Sequence, residues 1–210
     1  MIRIPISPPN QLTLARILMT PFFLAYLFGE EPADKQIALG IFIVAAITDW
    51  YDGYVARRWG FVTRWGKFLD PLADKILTSA AFISFIYIGY VQAWMVWIIV
   101  VRDFFMTFLR AYGEYRRVTI DTSGFAKTKT FFQLVVIYLF LVKYIVVTSP
   151  QLFAMFGHYF DLFASQPIMD VLMGITTFLT AATGLMYIHA NRTIILRLFS
   201  SGDHGTETGN

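Results

Sequence analysis

The sequence predicts an all-α integral membrane protein: a bundle of six transmembrane helices preceded by a short N-terminal interfacial segment. Three observations predict it. Hydrophobic residues make up 57% of the 210-residue chain and charged residues only 15%. With a mean hydropathy of +0.58, that leaves too little polar surface for a soluble domain of this length. The apolar residues gather into six runs, each close to the roughly 20 residues a helix needs to cross a bilayer. Finally, Lys and Arg collect in alternate connections between those runs.

Residues 1–9 hold three prolines and alternate apolar with polar side chains. They are too short to span and suit the membrane surface. The first apolar run covers 12–28, with Pro21 as an expected kink. It is long, has no small-x-small cleavage pattern, and is followed by further apolar runs, unlike a cleavable signal peptide. The remaining spans are expected at 37–56, 69–91, 94–112, 130–147 and 168–190. Segment 149–167 is aromatic but broken by Pro and Gly, and reads as interfacial. The membrane domain is expected over 1–199, with 200–210 a polar, Gly-rich, disordered tail.

With the N-terminus inside, twelve cations face the cytoplasm: Arg3, Arg57, Arg58, Arg64, Lys67, Arg110, Arg116, Arg117, Lys127, Lys129, Arg192 and Arg197. Only Lys35 and Lys143 face outward, while Arg16, Lys75 and Arg102 lie within spans. This asymmetry sets the orientation, and an even number of spans puts both termini in the cytoplasm. The modest net charge of +3 suits anionic lipid headgroups, and no nucleic-acid partner is expected. There is no cysteine, which excludes disulfides, thiolate metal sites and Cys nucleophiles.

Carboxylates inside apolar spans are costly and mark function. Asp49 and Asp52 close the second span, three residues apart and so on one helix face. Asp70 and Asp74 open the third, four apart and again on one face. The short connection between them predicts antiparallel neighbouring helices, with all four carboxylates at one depth. Such a cluster repels itself unless hard divalent cations hold it, and oxygen ligands suit Mg²⁺, Mn²⁺ or Ca²⁺. Two ions sharing the carboxylates would suit phosphoryl chemistry. Gly53 and Gly66 leave room for a bulky ligand beside them. A structural salt-bridge network with Arg57, Arg58 and Lys75 is the plain alternative, disfavoured by the expense of burying four carboxylates for structure alone.

The run Asp49-x2-Asp52-Gly53-x2-Ala56-Arg57-x8-Gly66-x3-Asp70-x3-Asp74 matches the signature of the CDP-alcohol phosphatidyltransferases at all eight specified positions, and the six-span layout resembles that family too. The stretches 12–16 and 66–75 are most similar to the branch that makes phosphatidylglycerophosphate. The resemblance implies transfer of the phosphatidyl group of CDP-diacylglycerol to glycerol 3-phosphate, releasing CMP. It implies two divalent cations, Mg²⁺ or Mn²⁺, on Asp49, Asp52, Asp70 and Asp74, with Asp74 also the general base. Gly53, Arg57 and Thr63 would contact the CDP-lipid, Arg57 at its pyrophosphate. Asn10, Thr13 and Arg16 match the family's Asn-x-x-Thr-x-x-Arg pattern. Their residue-level reading stays divided between the cytidine side of the substrate and helix capping or packing.

An acceptor phosphate calls for Arg or Lys. Arg102, Arg110, Lys127 and Lys129 are the expected lining of that pocket. For Arg102 the alternative is pairing with Asp103, and for Lys127 and Lys129 it is anchoring at the inner membrane face. Sibling acceptors remain open: inositol phosphate, phosphatidylglycerol, serine or an aminoalcohol. From another class, a divalent-cation transporter would use the same aspartates, but gains nothing from a fixed Arg57. Membrane lipids and a second copy of the chain, as a homodimer, complete the expected partners.

Overall fold

The computed structural model describes residues 8–59, 64–116 and 125–195, with side chains at 13–48, 69, 71–113, 116 and 128–195. Seven helices follow one another: α1 (Pro8–Leu27), α2 (Pro32–Trp59), α3 (Arg64–Ile88), α4 (Ala93–Tyr115), α5 (Phe125–Thr148), α6 (Pro150–Phe163) and α7 (Gln166–Ala190). Among the described residues there is no strand. Each expected span corresponds to one helix, but α1 ends one residue before the expected span 12–28 does and α3 ends three residues before 69–91 does; residues 8–10, expected at the membrane surface or just after it, belong to α1. Residues 1–7 and the tail 200–210 lie outside the described residues.

The helices carry large apolar side chains on their outer faces as well as in their core. On α1, Thr13, Arg16, Thr20, Phe23 and Leu27 are buried at i, i+3, i+4 spacing, while Leu14, Leu18 and Phe22 are exposed. On α7, Thr176, Thr177, Thr180 and Thr183 face inward and Ile175, Phe178, Leu185 and Met186 face outward. Hydroxylated residues among the buried positions, with large apolar ones covering the outside, suit helices packed in lipid. Three described stretches are long and apolar enough to cross a membrane: Pro71–Ile88, Thr128–Thr148 and Gln166–Ala190. Thr13–Leu27 is apolar but shorter. Among the described residues the fold is all-helical, with helices of the length and composition of a membrane protein.

One aromatic core joins the helices. Phe23 meets Phe42 at 5.5 Å between ring centroids, Phe42 meets Tyr138 at 5.4 Å, and Phe85 meets Phe140 at 5.3 Å. These contacts tie α1 to α2, α2 to α5, and α3 to α5, in tilted or edge-on geometries that aromatic pairs favour.

Helix α1 packs along both α2 and α3. A short connection fixes only the ends it joins, and here α1 is the shared neighbour of both aspartate-bearing helices.

The ends of the helices have local causes. Gly89, with φ of +81°, stops α3: its N–H donates to the Ile86 carbonyl at 3.0 Å and the Tyr90 N–H to the Phe85 carbonyl at 2.9 Å. That is a Schellman closure, which glycine enters without steric cost. Helix α6 begins at Pro150, has 14 residues and exposes Phe153, Met155, Phe156, Tyr159, Leu162 and Phe163. At 1.5 Å per residue it reaches about 21 Å, short of a hydrocarbon core of about 30 Å. Its C-terminus is fastened from α5, where Lys143 Nζ donates to the Ala164 carbonyl at 2.5 Å and sits 5.2 Å from the centre of the Tyr90 ring.

Candidate active site

The backbones of α2 and α3 carry the four aspartates of the signature, Asp49 and Asp52 toward the end of α2, Asp70 and Asp74 in the first turns of α3. The side chains of Asn10, Asp49, Asp52, Arg57, Asp70 and Lys127 lie outside the described residues, as does the backbone conformation around Thr63. Gly53 is placed only as a residue of α2. No group of three His, Cys, Asp or Glu comes together among the described residues, of which only Asp74 belongs to the expected metal set.

Asp74 is held from two sides. Its side chain keeps 28% of its surface exposed, and one carboxylate oxygen lies 3.1 Å from Lys75 Nζ. One turn on, the Thr78 hydroxyl donates to the Asp74 carbonyl at 2.9 Å. Neighbouring side chains on a helix ordinarily diverge. Lys75 turns back toward Asp74 because its ammonium also reaches Asp103 on α4, 3.6 Å away.

Asp103 is the centre of a buried charge cluster. Its side chain is 2% exposed. Oδ1 accepts from Lys129 Nζ of α5 at 2.6 Å and from Arg102 Nη1 at 3.0 Å. Oδ2 faces Lys75 and, at 3.5 Å, Gln133 Nε2. Arg102 sends its other terminal nitrogen to the Thr183 hydroxyl of α7 at 3.0 Å, and Thr183 in turn donates to the Leu179 carbonyl. Helices α3, α4, α5 and α7 thus converge on one set of charges, joined to Asp74 through Lys75. Four buried polar atoms around it have no partner among the described residues: Arg102 Nε, Gln133 Oε1, Thr180 Oγ1 and the Tyr187 hydroxyl.

Of the expected acceptor residues, Arg102 and Lys129 therefore meet at Asp103. Arg110 stands two turns further along α4, its guanidinium 5.3 Å from the centre of the Tyr187 ring. Tyr187 in turn is one turn from Thr183 on α7. Thr13 is fully buried in α1, three residues before Arg16. Arg16 Nε reaches the Ala45 carbonyl at 3.4 Å, one turn before Asp49 on α2.

Sequence reasoning gave Asp103 a part only as an alternative partner for Arg102, and passed over Gln133, Thr183 and Tyr187. The signal for Thr183 was present in the run Thr176, Thr177, Thr180, Thr183, a hydroxylated stripe at helical spacing inside an apolar helix. Gln133 and Lys129, four apart on α5, form a similar polar stripe.

Comparison with known proteins gives a consistent picture. The family described as CDP-alcohol phosphatidyltransferase matches residues 6–182. A CDP-diacylglycerol–glycerol-3-phosphate 3-phosphatidyltransferase of Bacillus subtilis (strain 168) is 34% identical, over 87% of this chain and 94% of the relative. An enzyme of the same name from Rickettsia bellii is 33% identical, over 87% of this chain and 93% of its own. A probable phosphatidylglycerophosphate synthase of Mycobacterium tuberculosis is 42% identical over 63% of this chain and 64% of its own length.

Proposed function

This chain belongs to the CDP-alcohol phosphatidyltransferase family, and on that premise we propose that it transfers the phosphatidyl group of CDP-diacylglycerol to glycerol 3-phosphate, giving phosphatidylglycerophosphate and CMP. This is a step of phospholipid biosynthesis, named in the relatives of Bacillus subtilis and Rickettsia bellii that match most of both chains. The observation that carries the reading is the junction between signature and cation cluster: Asp74 is bridged by Lys75 to Asp103, around which Arg102 and Lys129 gather.

The donor set fits divalent metal. Asp49, Asp52, Asp70 and Asp74 offer only hard carboxylate oxygens, and the Asp74 carboxylate is partly exposed rather than consumed in a closed core. Two Mg²⁺ or Mn²⁺ ions held there would supply positive charge against the pyrophosphate and the departing CMP. The chain's own residues do the rest. Arg57 faces the pyrophosphate, Gly53 and Thr63 contact the CDP-lipid, Asn10 approaches its cytidine side, and Thr13, fully buried in α1, packs rather than touching substrate. Arg102, Arg110 and Lys127 bind the acceptor phosphate through charge-assisted contacts, while Lys129, only 2% exposed, is the counter-ion of Asp103 behind that pocket. Asp74 takes the proton of the acceptor hydroxyl. That oxygen forms its bond to the phosphorus bearing the lipid, while the bond from that phosphorus to the CMP oxygen breaks.

Six spans carry this site, with the aspartates and both termini on the cytoplasmic side, where CMP and glycerol 3-phosphate dissolve while the acyl chains stay in the bilayer. The bias of Lys and Arg toward that side supports the orientation. The experiment is turnover of CDP-diacylglycerol by purified protein with a panel of acceptors. Glycerol 3-phosphate should be used, and inositol phosphate, phosphatidylglycerol, serine and aminoalcohols should not. Turnover with one of those and none with glycerol 3-phosphate would overturn the acceptor and keep the family.

A further inference from the structure

Asp103 lies outside the eight-residue signature, yet three cations from three helices meet at its carboxylate. We propose that Asp103 is a positioning residue for the acceptor: it holds the Arg102 guanidinium in place for the acceptor's phosphate and does not itself touch substrate. This rests on the acceptor pocket proposed above.

The argument is one of charge, access and geometry. Lys75, Arg102 and Lys129 bring three positive charges into the apolar bundle, and Asp103 and Asp74 bring two negative ones. A purely structural network would balance, since uncompensated charge in low dielectric is costly. Among the described residues this one leaves a positive charge over, suited to a further anion. Access decides which cation meets that anion. Lys129 is 2% exposed and lies closest to Asp103, so it is the buried counter-ion. Lys75 and Arg102 keep 15% and 17% of their side chains exposed, but Lys75 is already paired with Asp74 as well as Asp103, which leaves Arg102.

Arg102 is also the cation held by a single carboxylate and a neutral hydroxyl, where Lys75 is held by two carboxylates. Nη1 is held by Asp103 and Nη2 by Thr183, each through one of its two N–H groups, while Nε is buried beside Gly184. Asp103 spends one oxygen on Arg102 rather than gripping it with two. A guanidinium so held is oriented without being saturated, and it binds a phosphate with less ordering left to lose. Lys129 therefore acts through Asp103 rather than on the substrate directly.

The test measures KM for each substrate in Asp103→Asn and Asp103→Glu, alongside thermal unfolding. KM is used because loss of folded protein lowers Vmax but leaves KM unchanged. Asp103→Asn is expected to raise the KM for glycerol 3-phosphate about tenfold or more, the scale of one charge-assisted contact. The KM for CDP-diacylglycerol should stay within about twofold. Asp103→Glu keeps the charge and so the fold, but moves the carboxylate by one methylene. It is expected to raise the acceptor KM by roughly three- to tenfold with an unchanged unfolding midpoint. Should Asp103→Asn not fold, Asp103→Glu decides alone. A wild-type acceptor KM in Asp103→Glu, or an equal rise for both substrates in either variant, overturns the inference and leaves Asp103 a structural counter-charge. Wild-type turnover with glycerol 3-phosphate tests the acceptor reading separately. If another phosphorylated alcohol is the substrate, the same KM comparison is made with that alcohol.

Discussion

Arg102 of α4 lies flat against Gly184 of α7. A methyl group at position 184 would come within 3.1 Å of Arg102 Cγ and 3.2 Å of its Nε, and it has no other neighbour so near. The next residue back, Thr183, takes the guanidinium's hydrogen bond. The pair Thr183-Gly184 is thus a slot that both grips the arginine and leaves it room.

Gly184→Ala follows directly. The side chain of Arg102 must yield by a few tenths of an ångström, which displaces its guanidinium from Thr183 and Asp103. The KM for glycerol 3-phosphate should rise about tenfold, with the KM for CDP-diacylglycerol little changed. Steady-state kinetics with each substrate varied in turn reads this. Equal KM values in variant and wild type would place the acceptor away from Arg102.

Lys143 is expected to matter for stability and not for turnover. It joins α5 to the last turn of α6 by donating to Ala164, at the opposite end of the bundle from the aspartates. Lys143→Met keeps the length of the side chain and loses the bond. The cost should be roughly 1–3 kcal/mol, seen as a lower unfolding midpoint in detergent, with kcat unchanged. A large loss of kcat at an unchanged midpoint would contradict this assignment.

The metal set makes a charge argument. Asp49→Asn, Asp52→Asn and Asp70→Asn each keep size and lose charge, which a hard-cation site does not tolerate. Each should abolish turnover with Mg²⁺ and with Mn²⁺. Near-normal rates in all three variants, or full wild-type activity in excess chelator, would remove metal from the account.

Topology can be read with single cysteines, because the chain has none of its own. An impermeant thiol reagent applied to intact cells should label Ser165→Cys, at the start of α7, and not Ser201→Cys, beyond its cytoplasmic end. Labelling of Ser201→Cys alone reverses the orientation.

Much of the fold was legible because burial in lipid leaves a plain mark. Residues 12–28 and 168–190 are apolar for about the length of a bilayer, and α1 and α7 follow them within a few residues. The same property hides packing. In water, the buried face of α7 would be the apolar one; here Phe178 is outside and Thr180 inside, so hydrophobicity does not say which face meets a neighbour. Nothing in the spacing of Asp52 and Asp70 shows that α1 packs on both their helices. Likewise, Arg102 and Asp103 are neighbours in sequence, but Lys75 and Lys129 reach Asp103 only through the meeting of α3, α4 and α5. The aspartate motif was legible because its residues are close in sequence, whereas the cation cluster is assembled by tertiary structure.

The most direct measurement incubates purified protein with CDP-diacylglycerol, glycerol 3-phosphate and Mg²⁺ or Mn²⁺, and follows CMP and lipid product together by mass spectrometry. The account predicts one CMP for each phosphatidylglycerophosphate formed, no product when glycerol 3-phosphate is omitted, and none from Asp74→Asn. CMP release without phosphatidylglycerophosphate, or undiminished product from Asp74→Asn, would contradict it.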